Sequence, residues 1–331
     1  MKHLRLPAEY EPQKAIWLTW PGNPKTWPDC REAAEKAYAV FAAKVSHFQP
    51  VEMICPAAWR KVALLRLNSA GADLQQFTFH DWPMNDAWCR DHGPLFVKNT
   101  QGQTEIVDFI YNAWGGKFSP WNDDDAVVKR ISDLRKIPRH RVPHVGEGGA
   151  IEVNAQGQMI TTESVWLNDN RNPGWERKDA ERCFFQYLGV KETLWLREGL
   201  IGDDTDGHID TITRFTHDEG VVTSVCKATD PNVRVLQENR ERLAGKFSVV
   251  DLPHPDPQWK NRERLPATYA NFLIMNEAVL VPTYAQKKGD ERALGILSEQ
   301  FPGREVVGVP SEILIREGGS LHCLSMQEAA E

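Results

Sequence analysis

Ten residues, Ile201-Gly-Asp-Asp-Thr-Asp-Gly-His-Ile-Asp210, gather four carboxylates and one histidine. The glycines and the lack of a 3.6-residue period argue against a solvated helix face. Gly207 lets the backbone turn just ahead of His208. If the chain there is extended, His208 and Asp210, two apart, project to the same side. An imidazole held among carboxylates suits acid–base work near neutral pH, and the carboxylates suit a cationic substrate. A calcium loop fits poorly, because the D-x-D-x-D-G alternation and its closing glutamate are not met.

Three further segments carry polar residues that ordinary loops do not require. In Asn85-Asp-Ala-Trp-Cys-Arg-Asp-His-Gly-Pro94, Arg90 and Asp91 could be a surface ion pair. The segment nevertheless leads straight into the apolar run Leu95–Val97, and Trp88 lies close enough to put an aromatic wall beside Asp91. In Val145-Gly-Glu-Gly-Gly-Ala-Ile151, glycines on both sides of Glu147 permit backbone geometry that can aim one carboxylate inward; a glycine-rich turn with a solvated glutamate is the alternative. In Glu317-Gly-Gly-Ser-Leu-His-Cys-Leu-Ser325, Cys323 is either a structural thiol or a nucleophile. His322 is its neighbour and points to the opposite face of an extended segment, so a base for Cys323 must come from elsewhere, with His208 the candidate.

The elements that must position these loops are mixed α/β. Strand-like apolar runs recur at Ala15–Trp20, Val51–Ile54, Leu95–Val97, Ile106–Ile110, Met159–Thr162, Val221–Val225, Phe247–Val250, Val279–Pro282 and Val306–Val309. Helix-like segments fall between several of them, at Cys30–Ser46, Asp124–Leu134, Trp175–Tyr187, Pro231–Leu243 and Asp290–Gln300. The first has an N-cap candidate at Asp29 and an apolar face of Ala34, Ala37, Tyr38, Phe41 and Ala42. Glu147-Gly-Gly-Ala-Ile recurs as Glu317-Gly-Gly-Ser-Leu, and the chemically dense points Asp91, Glu147, His208, Asn271 and Cys323 stand 56, 61, 63 and 52 residues apart. That loose period predicts about five units, each delivering one loop to a shared centre. A pseudo-symmetric closed α/β ring satisfies it; a doubly wound sheet is the alternative.

With 331 residues and no linker-like stretch, the chain is read as one domain, 1–331. A formal net charge of −7 disfavours nucleic acid and favours cationic partners. No apolar run approaches a membrane span, and the opening MKHLRLPAEYEP has no signal-peptide core, so a cytoplasmic location is expected. The six scattered cysteines argue against a disulfide framework or zinc ribbon. Cys89/His92 and His140/His144 make poor zinc pairs, and no H-E-x-x-H, P-loop, G-x-S-x-G or G-x-G-x-x-G motif is present. Neither a metal nor an organic cofactor is expected.

Taken together, the segments resemble the agmatine deiminase branch of the guanidine-modifying enzymes, related to bacterial peptidylarginine deiminase. The resemblance rests on Asn85-Asp-x-Trp-x-Arg-Asp-x-Gly-Pro94, Glu147-Gly-Gly, Thr162-Glu-Ser-Val-Trp-Leu-Asn-Asp-Asn-Arg-Asn-Pro173, Asp204-Thr-Asp-Gly-His-Ile-Asp210 and Gly318-Gly-Ser-Leu-His-Cys323. Pro7-Ala-Glu-Tyr-Glu-Pro12, Trp17-Leu-Thr-Trp-Pro21 and Asn112-Ala-Trp-Gly-Gly116 are similar to family segments too. It implies a pentein-like five-unit α/β propeller of repeated ββαβ-type units. It also implies hydrolysis of agmatine to N-carbamoylputrescine and ammonia, serving putrescine formation, with Cys323 as nucleophile and His208 as acid–base. Asp91 and Asp210 would clamp the guanidinium and Glu147 would orient His208. Trp88 and Trp114 would pack the methylene chain. Asp204 stands where relatives often carry Glu and would read the distal ammonium, one methylene shorter. Arginine or peptidylarginine deimination by the same residues is the alternative; a guanidine-binding module without catalysis finds no support, because every candidate group is present. A homo-oligomer is a family-level expectation only.

Overall fold

The computed structural model describes residues 4–330. Strands of two to seven residues are too short for one large sheet, and they form five small ones of the same design plus a separate hairpin. In each, a first strand runs antiparallel to a second, and a third lies parallel to the second. Parallel pairing needs a crossover, and a helix supplies it every time. One unit is Leu95–Lys98, Thr104–Ile110, helix Val127–Arg135 and Arg139–Val145. The next is Glu152–Val153, Gln158–Thr162, helix Arg177–Leu188 and Glu192–Leu196. Then come Thr213–His217, Gly220–Val225, helix Val233–Leu243 and Ser248–Pro253. A fourth set is Leu273–Ile274, Ala278–Thr283, helix Lys287–Gln300 and Glu305–Pro310.

The remaining sheet joins distant parts of the chain. Gln13–Thr19 pairs parallel with Val51–Ile54 after helix Arg31–Ser46, and helix Ala57–Ser69 leads on to Phe77–His80. Its antiparallel first strand is Ser325–Ala329, which follows Cys323 directly. In every unit the stretch just before the first strand carries one of the five spaced residues: Asp91, Glu147, His208, Asn271 or Cys323. The strand interiors are apolar on both faces where helices cover them, as in Val279–Val281, all fully buried.

Several boundaries differ from the sequence reading. Helix Arg31–Ser46 starts two residues after Asp29, with Cys30 at its N-cap and no side-chain cap. Its buried face does include Ala34, Tyr38, Phe41 and Ala42. Helix Ala57–Ser69 carries no periodic signal because its apolar residues make no stripe: only Ala63 and Leu67 are buried, while Leu64 and Leu65 face solvent. Strands such as Glu152–Val153 and Leu273–Ile274 are two residues long, too short for a period to register. Among the described residues, no helix is long and apolar enough to cross a membrane.

Candidate active site

Asp91 sits in the one-turn helix Cys89–His92 and is almost fully buried. Its Oδ1 accepts the Gly149 backbone N–H at 2.9 Å, and its Oδ2 accepts Trp114 Nε1–H at 3.0 Å. A side chain at Gly149 would run into the His208 ring and the Asp91 carboxylate, so glycine alone lets that amide come close. Burial, with no cation hydrogen-bonded to it, pushes the Asp91 carboxyl up to about 6.

Glu147 precedes the same turn and is 1 % exposed. Its Oε1 accepts Arg171 Nε–H at 2.7 Å, and its Oε2 lies 3.2 Å from His208 Nε2. Arg171 reaches on to Asp206 Oδ2 at 2.6 Å and the Thr205 carbonyl at 3.0 Å, which staples the acidic loop to this carboxylate. Gly207, at φ +109°, makes the turn ahead of His208. Residues Ile209–Thr211 then form a 3-10 turn rather than the extended run expected, so His208 and Asp210 do not reach the site by strand alternation. Asp203 takes the His208 backbone N–H on Oδ2 at 3.1 Å, a structural task.

The His208 ring is 1 % exposed, with Nδ1 at 3.6 Å from Asp91 Oδ1. Burial alone would depress it, but Asp91, Glu147 and Asp210 outweigh that and raise it to about 9. The ring is therefore cationic at neutral pH. Asp210 is fully buried; its Oδ2 lies 2.7 Å from His322 Nδ1, while its Oδ1 has no hydrogen-bond partner. His208 Nδ1 likewise has none. Two unpaired atoms this deeply buried mark where a ligand's hydrogen-bonding groups belong.

Cys323 Sγ lies 3.7 Å from Asp210 Oδ2 and accepts Asn271 Nδ2–H at 3.1 Å. Burial, then the Asp210 and Asp91 carboxylates, push the thiol well above its ordinary value. That environment favours the neutral thiol, and further positive charge beside the sulfur would favour the thiolate.

Asp91 and Cys323 open onto a cavity of about 910 Å3, whose walls include Trp88, Trp114 and Asp204. Asp204 is exposed, and its carbonyl oxygen accepts from Lys117 Nζ at 2.6 Å. Asp91, Glu147 and His208 thus form one buried cluster and Asp210 and Cys323 a second, coupled to it by charge, with the other three named residues on the wall. Asn271 stood at a spaced position without an assigned role; the period was its only signal. Residues 321–324 turn instead of running extended, and the His322 ring meets Asp210. Arg171 lay within a quoted motif, and nothing in the sequence tied it to Glu147. Among the described residues, no three His, Cys, Asp or Glu side chains are grouped as a metal site.

The cage of carboxylates around a thiol and an imidazole defines a class. The Porphyromonas-type peptidyl-arginine deiminase family model matches residues 5–329, and the chain belongs to that family. The agmatine deiminase of Pseudomonas aeruginosa (strain LESB58) is 34% identical over 357 residues, covering 98% of this chain and 95% of the relative. The C. jejuni agmatine deiminase, solved as a cysteine-to-serine variant with substrate bound, superposes with a TM-score of 0.92 at 31% identity, over 99% of this chain and 97% of that one. The Enterococcus faecalis agmatine deiminase gives 0.92 at 29% identity, over 98% and 96%.

Proposed function

We propose that this chain is an agmatine deiminase, hydrolysing agmatine to N-carbamoylputrescine and ammonia. The observation that carries the reading is the buried, unpaired Oδ1 of Asp210, whose carboxylate lies beside the Cys323 thiol, while Cys323 and Asp91 open onto the cavity. A guanidinium is planar with donors along fixed edges, and carboxylates on two sides hold it flat. Asp91 and Asp210 take that task, and Trp88 and Trp114 flank the methylene chain, adding cation–π attraction.

The bound cation offsets the carboxylates that keep Cys323 protonated, so the thiol releases its proton to solvent and the thiolate forms once substrate is present. Sγ bonds to the guanidinium carbon and gives a tetrahedral adduct. His208 donates a proton to one nitrogen, that C–N bond breaks, and ammonia leaves. The neutral imidazole, oriented by Glu147, then takes a proton from water as the water oxygen bonds to the amidino carbon. The C–S bond breaks, the thiolate is restored, the remaining hydroxyl proton passes to solvent, where ammonia takes it up, and the neutral ureido product departs. Asn271 Nδ2–H steadies the sulfur in its anionic stages. Asp204 at the mouth reads the distal ammonium.

The five like sheets support a pseudo-symmetric five-unit α/β propeller formed by a single domain over residues 1–331. The six cysteines are all unpaired, which suits a reducing compartment such as the cytoplasm. The test is to incubate the protein with agmatine, free arginine and blocked arginine peptides, and to measure ammonia and ureido product. Agmatine is expected to be the preferred substrate, with a mass adduct trapped on Cys323 in acid-quenched turnover. Turnover of blocked peptides alone would overturn the agmatine reading and leave the chemistry standing.

A further inference from the structure

Pro7-Ala-Glu-Tyr-Glu-Pro12 has no part in the reaction described above, yet its Glu9 is 7 % exposed and reaches the centre of the molecule. Glu9 Oε2 lies 2.7 Å from His322 Nε2, and the other ring nitrogen, Nδ1, lies 2.7 Å from Asp210 Oδ2. Ionised carboxylates can only accept, so a ring held between two of them must donate from both nitrogens and carry a positive charge. Glu9 also accepts from Arg214 Nη2 at 2.6 Å and from the Ile274 backbone N–H at 2.8 Å. Arg214 Nε donates on to Glu152 Oε2 at 2.7 Å, and Arg90 Nη2 stands 3.8 Å from Glu9. The row Asp210, His322, Glu9, Arg214, Glu152, Arg90 thus sets three negative groups against three positive ones. Burial would raise the two carboxyls that flank His322, but the neighbouring cations hold Glu9 and Asp210 below the ordinary carboxylate range.

We propose that His322, clamped by Glu9, is a positioning residue: it fixes Asp210 by Oδ2 so that Oδ1 faces the substrate, and its charge offsets the Asp210 carboxylate beside Cys323. His322 touches neither substrate nor sulfur. It acts through Asp210, and this assignment of roles rests on the deiminase reading above. The groups around it are Asp210 and Glu9 in direct contact, with Arg214, Arg90, Glu152, His208 and Cys323 beyond.

The experiment compares wild type with His322→Asn and Glu9→Gln. Iodoacetamide alkylation of Cys323 against pH, without substrate, reports the thiol; kcat and KM for agmatine against pH report Asp210. For His322→Asn the alkylation midpoint is expected to move to higher pH, because Asp210 then faces the sulfur unshielded. The acid limb of kcat/KM is expected to move up as Asp210 becomes easier to protonate. The value of kcat/KM should fall roughly 100-fold, as for a displaced catalytic group. Glu9→Gln, which retains an acceptor for Nε2 but loses the charge, should shift both profiles the same way and by less, and it serves if His322→Asn does not fold. A folded His322→Asn with wild-type profiles and kcat/KM within threefold would overturn the proposal, as would an unshifted folded Glu9→Gln if the first variant fails. The alkylation arm needs no substrate, so it remains decisive even if agmatine is not turned over.

Discussion

Raising the pH discharges His208, and the structure sets how much stability goes with it. The ring is 1 % exposed and its value rises from 6.5 to about 9. A folded value above the unfolded one means that the proton stabilises the fold, fully below pH 6.5, with loss as pH climbs through 9. Between pH 7 and 8.5 the folded ring keeps a proton that the unfolded chain has mostly released. Stability should therefore fall by ~1.4 kcal/mol per pH unit, or about 2 kcal/mol over that window. The thiols of Cys55 and Cys226, raised by burial to about 11, and of Cys89 and Cys183, raised to about 12, add loss in the same direction as the unfolded thiols ionise, so the His208 share is the difference between wild type and His208→Gln. Burial holds His92 and His254 near 4, and Asp86 and Asp91, raised to about 6, finish titrating below it. Urea unfolding followed by tryptophan fluorescence at half-unit pH steps measures the slope. A titration of imidazole-labelled protein, with the His208 signal identified by its absence in His208→Gln, measures the ring itself. A flat or rising stability from pH 7 to 8.5, or a His208 midpoint at or below 6.5, would refute the electrostatic account of the site.

Cys323→Ser should leave less than roughly a thousandth of the turnover and no trapped mass adduct, while calorimetry still shows agmatine binding. Asn271→Ala removes the donor at 3.1 Å from Sγ and should lower kcat by roughly 100-fold or more, with a smaller change in KM, read by steady-state ammonia release. Trp114→Phe keeps an aromatic wall and loses the hydrogen bond to Asp91 Oδ2; KM for agmatine should rise roughly threefold to tenfold while thermal stability changes little.

The chemistry was legible where side-chain type and spacing suffice. His208, Asp210, Asp91, Glu147 and Cys323 stand out in glycine-rich or charge-dense loops, and the spacing of the dense points matches the five sheets that carry them. Partners drawn from remote parts of the chain were not legible. Nothing local in Pro7–Pro12 foretells that Glu9 meets His322, which lies 313 residues away, at 2.7 Å. Arg214 lies within a strand, and only burial against Glu9 and Glu152 reveals its charge as structural. The partner of His322 was not legible because a two-residue period describes extended chain, and residues 321–324 turn. Helix Ala57–Ser69 was missed because it buries two side chains and so leaves no amphipathic trace.

The pairing of Gln13–Thr19 with Ser325–Ala329 gives the nucleophile an unusual dependence on synthesis. Cys323 stands two residues before a strand that docks onto the earliest strand of the fold, so a nascent chain can build four of the five sheets and still lack its thiol. Partial translation products would carry the carboxylates and His208 but no reactive sulfur. Premature release therefore yields inert protein rather than half-formed enzyme. Grafts at this end face the same constraint, because loosening the last strand also loosens the anchorage of the catalytic sulfur.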